Sequence, residues 1–240
     1  MHASVITRFV DFTKPLEGDV LWPYLYVLGL VTVGYVNLAL GLPWTKRDGS
    51  PANSDFVRSQ WSALKAQPAL AKMHYKYAAN ASELRLSEDA AGALLRARMQ
   101  SFEATLCKYF PTWDTFPADA QLGCMSMAWA CGPGFPAIFK TFTQFANARD
   151  WPNAAKCAAI RTDGNPGIVP RNAQNALCFA NAATAMSRGL PVDELYWPGT
   201  VPEAQEADDA LRVLAERALA EHPIDVVGQA GRNIEEEETT

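Results

Sequence analysis

Between Val20 and Thr45 the chain carries no charged residue, and this run limits the possible folds more than any other feature. By length alone it could cross a bilayer, since a helical span needs about 20 apolar residues. Its composition argues for strands instead. Pro23, Gly29, Gly34, Asn37 and Gly41 interrupt it, and its Val, Thr and Tyr residues favour extended backbone. The expectation is two or three short antiparallel strands between Leu25 and Leu40, with a turn near Gly29 and no membrane span. Membrane association through residues 20–44 is the weaker alternative.

Helical patterns flank the run on both sides. Ser4 is placed to cap a first helix bearing Val5, Ile6, Phe9, Val10 and Phe12, with Pro15 at or just beyond its end. Residues 43–53 read as loop, Ser54 as the cap of a helix reaching Ala66, and Pro68 as the start of another reaching Ala79. Ser87 followed by Glu88 and Asp89 is a strong helix start, because acids favour the positive end of the helix dipole. Leu94, Leu95, Met99, Phe102, Leu106 and Phe110 continue that helix at its own period. Pro117 opens a helix that stops at Gly132-Pro133-Gly134. Further helices are predicted over 135–148, 151–160, 170–188 and 202–222, with a turn-rich loop over 161–167. The fold class is therefore α+β, mainly helical. A single domain over 1–222 carries a β-lobe at about 20–53, and 223–240 is an acidic tail.

Charge and cysteine usage narrow the function. A net charge of −5, with scattered Lys and Arg, leaves no footprint for nucleic acid. The five cysteines, at 107, 124, 131, 157 and 178, are odd in number and widely spaced, which suits buried reduced thiols better than a disulfide framework. No CxxC occurs and the three histidines are isolated, so neither a metal nor another cofactor is expected. The N-terminus has no basic segment followed by an apolar one, so synthesis in the cytoplasm without a signal peptide is expected.

Two separated segments carry a resemblance. Glu17-Gly18, Tyr24, Gly29, Thr32 and Gly34 fall at the spacing of the active-site segment of bacteriophage-type lysozymes. Farther on, Asp119 to Gly134, with Met125-Ser126-Met127-Ala128-Trp129-Ala130, resembles the helix behind that family's cleft. Asn165-Pro166-Gly167-Ile168-Val169-Pro170-Arg171-Asn172 is similar to its late turn and helix start. The resemblance spans about residues 4 to 198 and implies a lysozyme-like fold. Three positions depart from the family: its Asp is Tyr26, its second Gly is Val36, and its second Arg is Asn172.

The resemblance implies hydrolysis of the glycosidic bond after N-acetylmuramic acid in peptidoglycan, with inversion at the anomeric carbon. Inversion needs one carboxylic acid for the leaving oxygen and one carboxylate to activate water on the opposite face. Glu17 takes the place of the acid and Thr32 that of the residue holding the water, so these two are the catalytic candidates. Tyr24, Tyr26, Asn37 and Arg171 are candidates for binding the glycan, although Arg171 also suits pairing with a nearby carboxylate. Tyr26 cannot replace the base, because a phenol titrates near about pH 10 and is neutral at pH 7. Asp19, Asp48 and Asp55 are the acids that could substitute.

Two functions follow. One is a muramidase, weakened by the missing carboxylate. The other is a catalytically inactive lysozyme-like module that binds glycan or a protein partner. Either would act at the cell wall, or in a phage or secretion-system particle.

Overall fold

A computed structural model describes residues 1–18, 20–25, 30–33, 36–37, 42–73 and 75–202, and at 36–37 the backbone alone. The chain is mainly helical with small antiparallel sheets, an α+β arrangement. It divides into two compact units, Met1–Thr200 and Val201–Thr240. Nearly all described residues belong to the first. The expected helix over 202–222 and the acidic tail lie outside the described residues.

Helix α1 (Ala3–Glu17) buries Val5, Phe9, Phe12 and Thr13. His2 takes its N-cap position, and the expected cap, Ser4, instead donates to Asp193 O at 2.7 Å. Pro15 lies inside the helix and does not end it. A proline in a last turn removes one donor but leaves the following residues free to stay helical.

The uncharged run forms strands β1 (Tyr24–Leu25), β2 (Val31–Val33) and β3 (Val36–Asn37), paired antiparallel in that order. Gly29, the expected turn, is outside the described residues. Part of the expected 43–53 loop is strand β4 (Thr45–Lys46), which pairs with β5 (Leu84–Arg85). Its partner is 40 residues away, so local alternation could not reveal it.

Helix α2 (Ser54–Lys65) is capped one residue earlier than expected, by Asn53 Oδ1 accepting from Phe56 N at 2.9 Å. The helix expected over 68–79 is a 3-10 turn (Pro68–Lys72), then helix α3 (Tyr75–Ala81). Ser87 caps helix α4 (Glu88–Tyr109) through Ala90 N, as its sequence implied. Helix α5 (Ala118–Cys131) ends at Gly132. The single helix expected over 135–148 is α6 (Phe135–Ile138) and α7 (Lys140–Asn147). Across the break, Thr143 Oγ1, in α7, donates to Pro136 O and also to Phe139 O, which accepts from Thr143 N as well. Helices α8 (Trp151–Lys156) and α9 (Ile168–Ser187) complete the unit.

Two apolar clusters result. Leu25, Val31, Val33, Trp44, Val57, Trp61, Leu64 and Leu84 form the core of the β-lobe. The helical core gathers α1, α5 and α9 around Phe9, Phe12, Phe110, Phe116, Trp151 and Phe179. Helix α4 runs from one to the other, with Ala91 in the first cluster and Leu95 in the second. Helix α5 is buried on every side from Ala118 to Ala128. At Gly123 a Cβ would stand 2.8 Å from the Phe179 ring, so glycine is what lets α5 and α9 pack this closely.

Candidate functional site

Helix α1 stops at Glu17 because Gly18 adopts φ 79°, a backbone that disfavours other residues. Gly18 N closes the last turn on Lys14 O at 3.0 Å, leaving the Glu17 carboxylate at the helix end. Arg171, in the first turn of α9, reaches it: Nη2 donates to Glu17 Oε1, and Nη1 donates to Ser126 O and Oγ at 3.3 Å each. The arginine side chain is 4% exposed and the glutamate 33%. The pair therefore has a dry end and a wet end. Burial pushes the guanidinium below its ordinary pKa, and the Glu17 charge opposes that shift. A guanidinium this enclosed is stable only with a counter-charge, and Glu17 supplies it. Glu17 Oε2 accepts from no described residue. Cys131, at the end of α5, senses the same place: burial raises its pKa and Arg171 lowers it.

Three aromatic rings cluster beyond the end of α1, one of them against Gly18. Tyr75 Oη lies 3.6 Å from the position a Cβ on Gly18 would occupy. Its ring is 6.3 Å from that of Trp22 and 6.1 Å from that of Tyr24. Trp22 Nε1 donates to the backbone O of Tyr75 at 3.0 Å, fixing the indole to the start of α3. Tyr24 in turn faces Thr32 across the sheet, and Thr32 faces Asn37. Three of the expected site residues thus share one row of the ladder. Thr32 is buried there, at 5% exposed.

The expected residues fall into two groups, Glu17 with Arg171 and Tyr24 with Thr32 and Asn37. Tyr75 lies between them, its hydroxyl over the bare Cα of Gly18 and its ring packed near that of Tyr24. Sequence reasoning missed Tyr75 and Trp22, and for Tyr75 no signal was available: it sits in another helix, outside both motif segments. Ser126 lay inside a quoted motif, but nothing in the sequence showed that it would hold Arg171.

The substitute acids are engaged locally. Asp48 accepts from Ser50 N and Oγ, hydrogen bonds that lower its pKa, and Asp55 accepts from Arg58 Nη2 at 2.6 Å. Asp19 and Tyr26 lie outside the described residues, as do Gly29 and Gly34. Asn172, at the position of the family's second Arg, accepts from Ile160 N and donates to Ile160 O, closing the loop before α9.

Among the described residues no group of three His, Cys, Asp or Glu could hold a metal, and no helix is long and apolar enough to cross a membrane. All five cysteines are unpaired; Cys124 and Cys178 are buried, while Cys107 is exposed, contrary to the expectation of uniformly buried thiols. No family model matches the chain, and none of the curated proteins is significantly similar to it.

Proposed function

We propose that the protein is a lysozyme-like muramidase with weakened hydrolysis. In this reading a peptidoglycan glycan strand lies against Trp22, Tyr24 and Tyr75, and Glu17 meets the glycosidic bond after N-acetylmuramic acid. The supporting observation is the contact of Glu17 with Arg171. It joins two segments far apart in sequence, which independently resemble the same family. The three rings add to this, because aromatic faces pack well on the C–H faces of pyranose sugars.

The chemistry divides unequally. Glu17 Oε2, held by no described residue, is the oxygen from which a proton would pass to the leaving group; that role belongs to the neutral carboxyl, whereas the ionised one is the counter-charge of Arg171. Water attacking the opposite face must lose a proton to a base. Tyr26 occupies the family's base position and is a poor acceptor at neutral pH. Losing a general base lowers a rate by about 10²–10⁴-fold, which is the weakening proposed. The second reading, an inactive glycan-binding or protein-interaction module, is favoured by one observation: Arg171 gives Glu17 a structural task that needs no reaction.

Release of reducing ends from purified peptidoglycan separates the two. The muramidase reading expects slow release by the wild type, none by Glu17→Gln, and faster release by Tyr26→Asp, most of all combined with Val36→Gly. Silence of the wild type and the folded Tyr26→Asp/Val36→Gly variant, with co-sedimentation on insoluble peptidoglycan retained, would establish the module instead.

A further inference from the structure

One helical turn inward from the Glu17–Arg171 pair, each helix carries a buried polar side chain. On α1 it is Thr13, four residues before Glu17 and 0% exposed; on α9 it is Asn175, four residues after Arg171 and 1% exposed. Positions four apart share a helix face, so each lies on the face that bears its half of the ion pair. The two helices run in opposite senses here. Glu17 meets Arg171 at one level. At the next, the Phe12 ring is 5.1 Å from the Trp197 ring, whose Nε1 donates to Gln174 Oε1 at 2.6 Å. Thr13 follows Phe12 in α1 and Asn175 follows Gln174 in α9, each one turn from its half of the ion pair.

Among the described residues, neither Thr13 Oγ1 nor either amide atom of Asn175 has a hydrogen-bond partner. Almost every other buried polar side chain nearby is satisfied: Ser126 takes Arg171, and Asn181 donates to Asp119 Oδ1 at 3.0 Å. Buried amides without partners are rare because their desolvation is uncompensated. Thr13 and Asn175 together offer donors and acceptors from two elements, and two to four such partners are what an internal water requires.

We propose that Thr13 and Asn175 hold one ordered water molecule in the helical core, one turn behind the Glu17–Arg171 pair. The water donates to Asn175 Oδ1 and accepts from Asn175 Nδ2 or Thr13 Oγ1. This site is independent of glycan hydrolysis and stands whether or not Glu17 is an acid.

The test uses the full-length wild type. A long-lived water should give nuclear Overhauser effects to the Asn175 side-chain amide protons. Thr13→Val and Asn175→Leu should each lower the melting temperature by about 2–4 °C, since each strands the water. Absence of the water signal overturns the proposal, including the case where Thr13 and Asn175 bond directly to each other. A rise in melting temperature in Asn175→Leu overturns it too, because replacing an unsatisfied amide by a hydrocarbon of similar size stabilises a core. Should a variant fail to fold, the wild-type signal decides alone.

Discussion

Changing Glu17 to Gln keeps the size of the side chain and an acceptor for Arg171 Nη2 but removes the charge. What remains is a guanidinium whose side chain is 4% exposed, with Ser126 O and Oγ as its other acceptors. Breaking a fully buried pair costs about 3–5 kcal/mol. Here the glutamate end is 33% exposed, so water screens part of the interaction and about 2 kcal/mol is expected. The reverse change, Arg171→Met, leaves a carboxylate that water can reach, and the methionine fills the arginine stem. About 1 kcal/mol is expected there. With both changes no buried charge remains, and the double variant should lose only about 1 kcal/mol, a coupling of about 2 kcal/mol. For a domain of this size Glu17→Gln then melts about 4–8 °C below the wild type. Urea titrations of the four proteins measure the cycle. Single losses that add to within about 0.5 kcal/mol would refute the claim that the arginine depends on this carboxylate.

Other consequences are independent of that cycle. Gly123→Ala should destabilise by about 1–3 kcal/mol, because the new methyl would meet the Phe179 ring at 2.8 Å; a neutral melting curve would show that α5 and α9 can separate freely. Burial holds the Asp119 carboxyl above its ordinary value of 3.8, against hydrogen bonds from Asn181, Tyr196 and Trp197. The folded state therefore binds the proton more tightly than the unfolded one, so this group's contribution to stability falls as pH rises from about 4 through the folded pKa. Asp119→Asn should remove that slope and, by turning its NH2 towards one of the two backbone donors, Tyr196 N or Trp197 N, destabilise at neutral pH by about 1.5–3 kcal/mol. A thiol reagent should label exposed Cys107 in the native protein and reach Cys124 and Cys178, whose thiols burial pushes up, only on unfolding. Native labelling of Cys178 at the rate of Cys107 would contradict the packing of α9.

What could be read beforehand was what local chemistry decides. Ser87 with Glu88 and Asp89 marked a helix start because cap and dipole act within one turn, and the Gly132 stop was visible for the same reason. The uncharged run read as strands because Pro23 and its glycines rule out a continuous helix. Long-range partners were invisible. Thr45–Lys46 became strand only because Leu84–Arg85 lies beside it. Pro15 stayed within α1 against its usual tendency, with Phe12 and Thr13 anchored in the core and Gly18 ending the helix on Lys14. At the site, Glu17 and Arg171 were each marked by motif, yet nothing local showed that they would meet or that Ser126 of α5 would hold the same guanidinium. Tyr75 carried no motif at all.

The pairing changes what the presence of Glu17 can mean. In a hydrolase a glutamate at this position is explained by proton transfer. Here it is equally explained by the guanidinium beneath it, so loss of function in Glu17→Gln has two routes, chemistry and unfolding. They separate by temperature: a chemical loss persists well below the variant's melting point, whereas a structural one recovers on cooling. Residues without a structural charge to neutralise discriminate better. Trp22 and Tyr24 are only partly buried, and Tyr24→Ala exposes no unpaired ion. If the Trp22, Tyr24 and Tyr75 rings bind sugar, that variant weakens co-sedimentation with peptidoglycan whether or not the protein hydrolyses it. If retention is unchanged while the fold is intact, the glycan does not lie where the proposed cleft puts it, and Glu17 is left with its structural role alone.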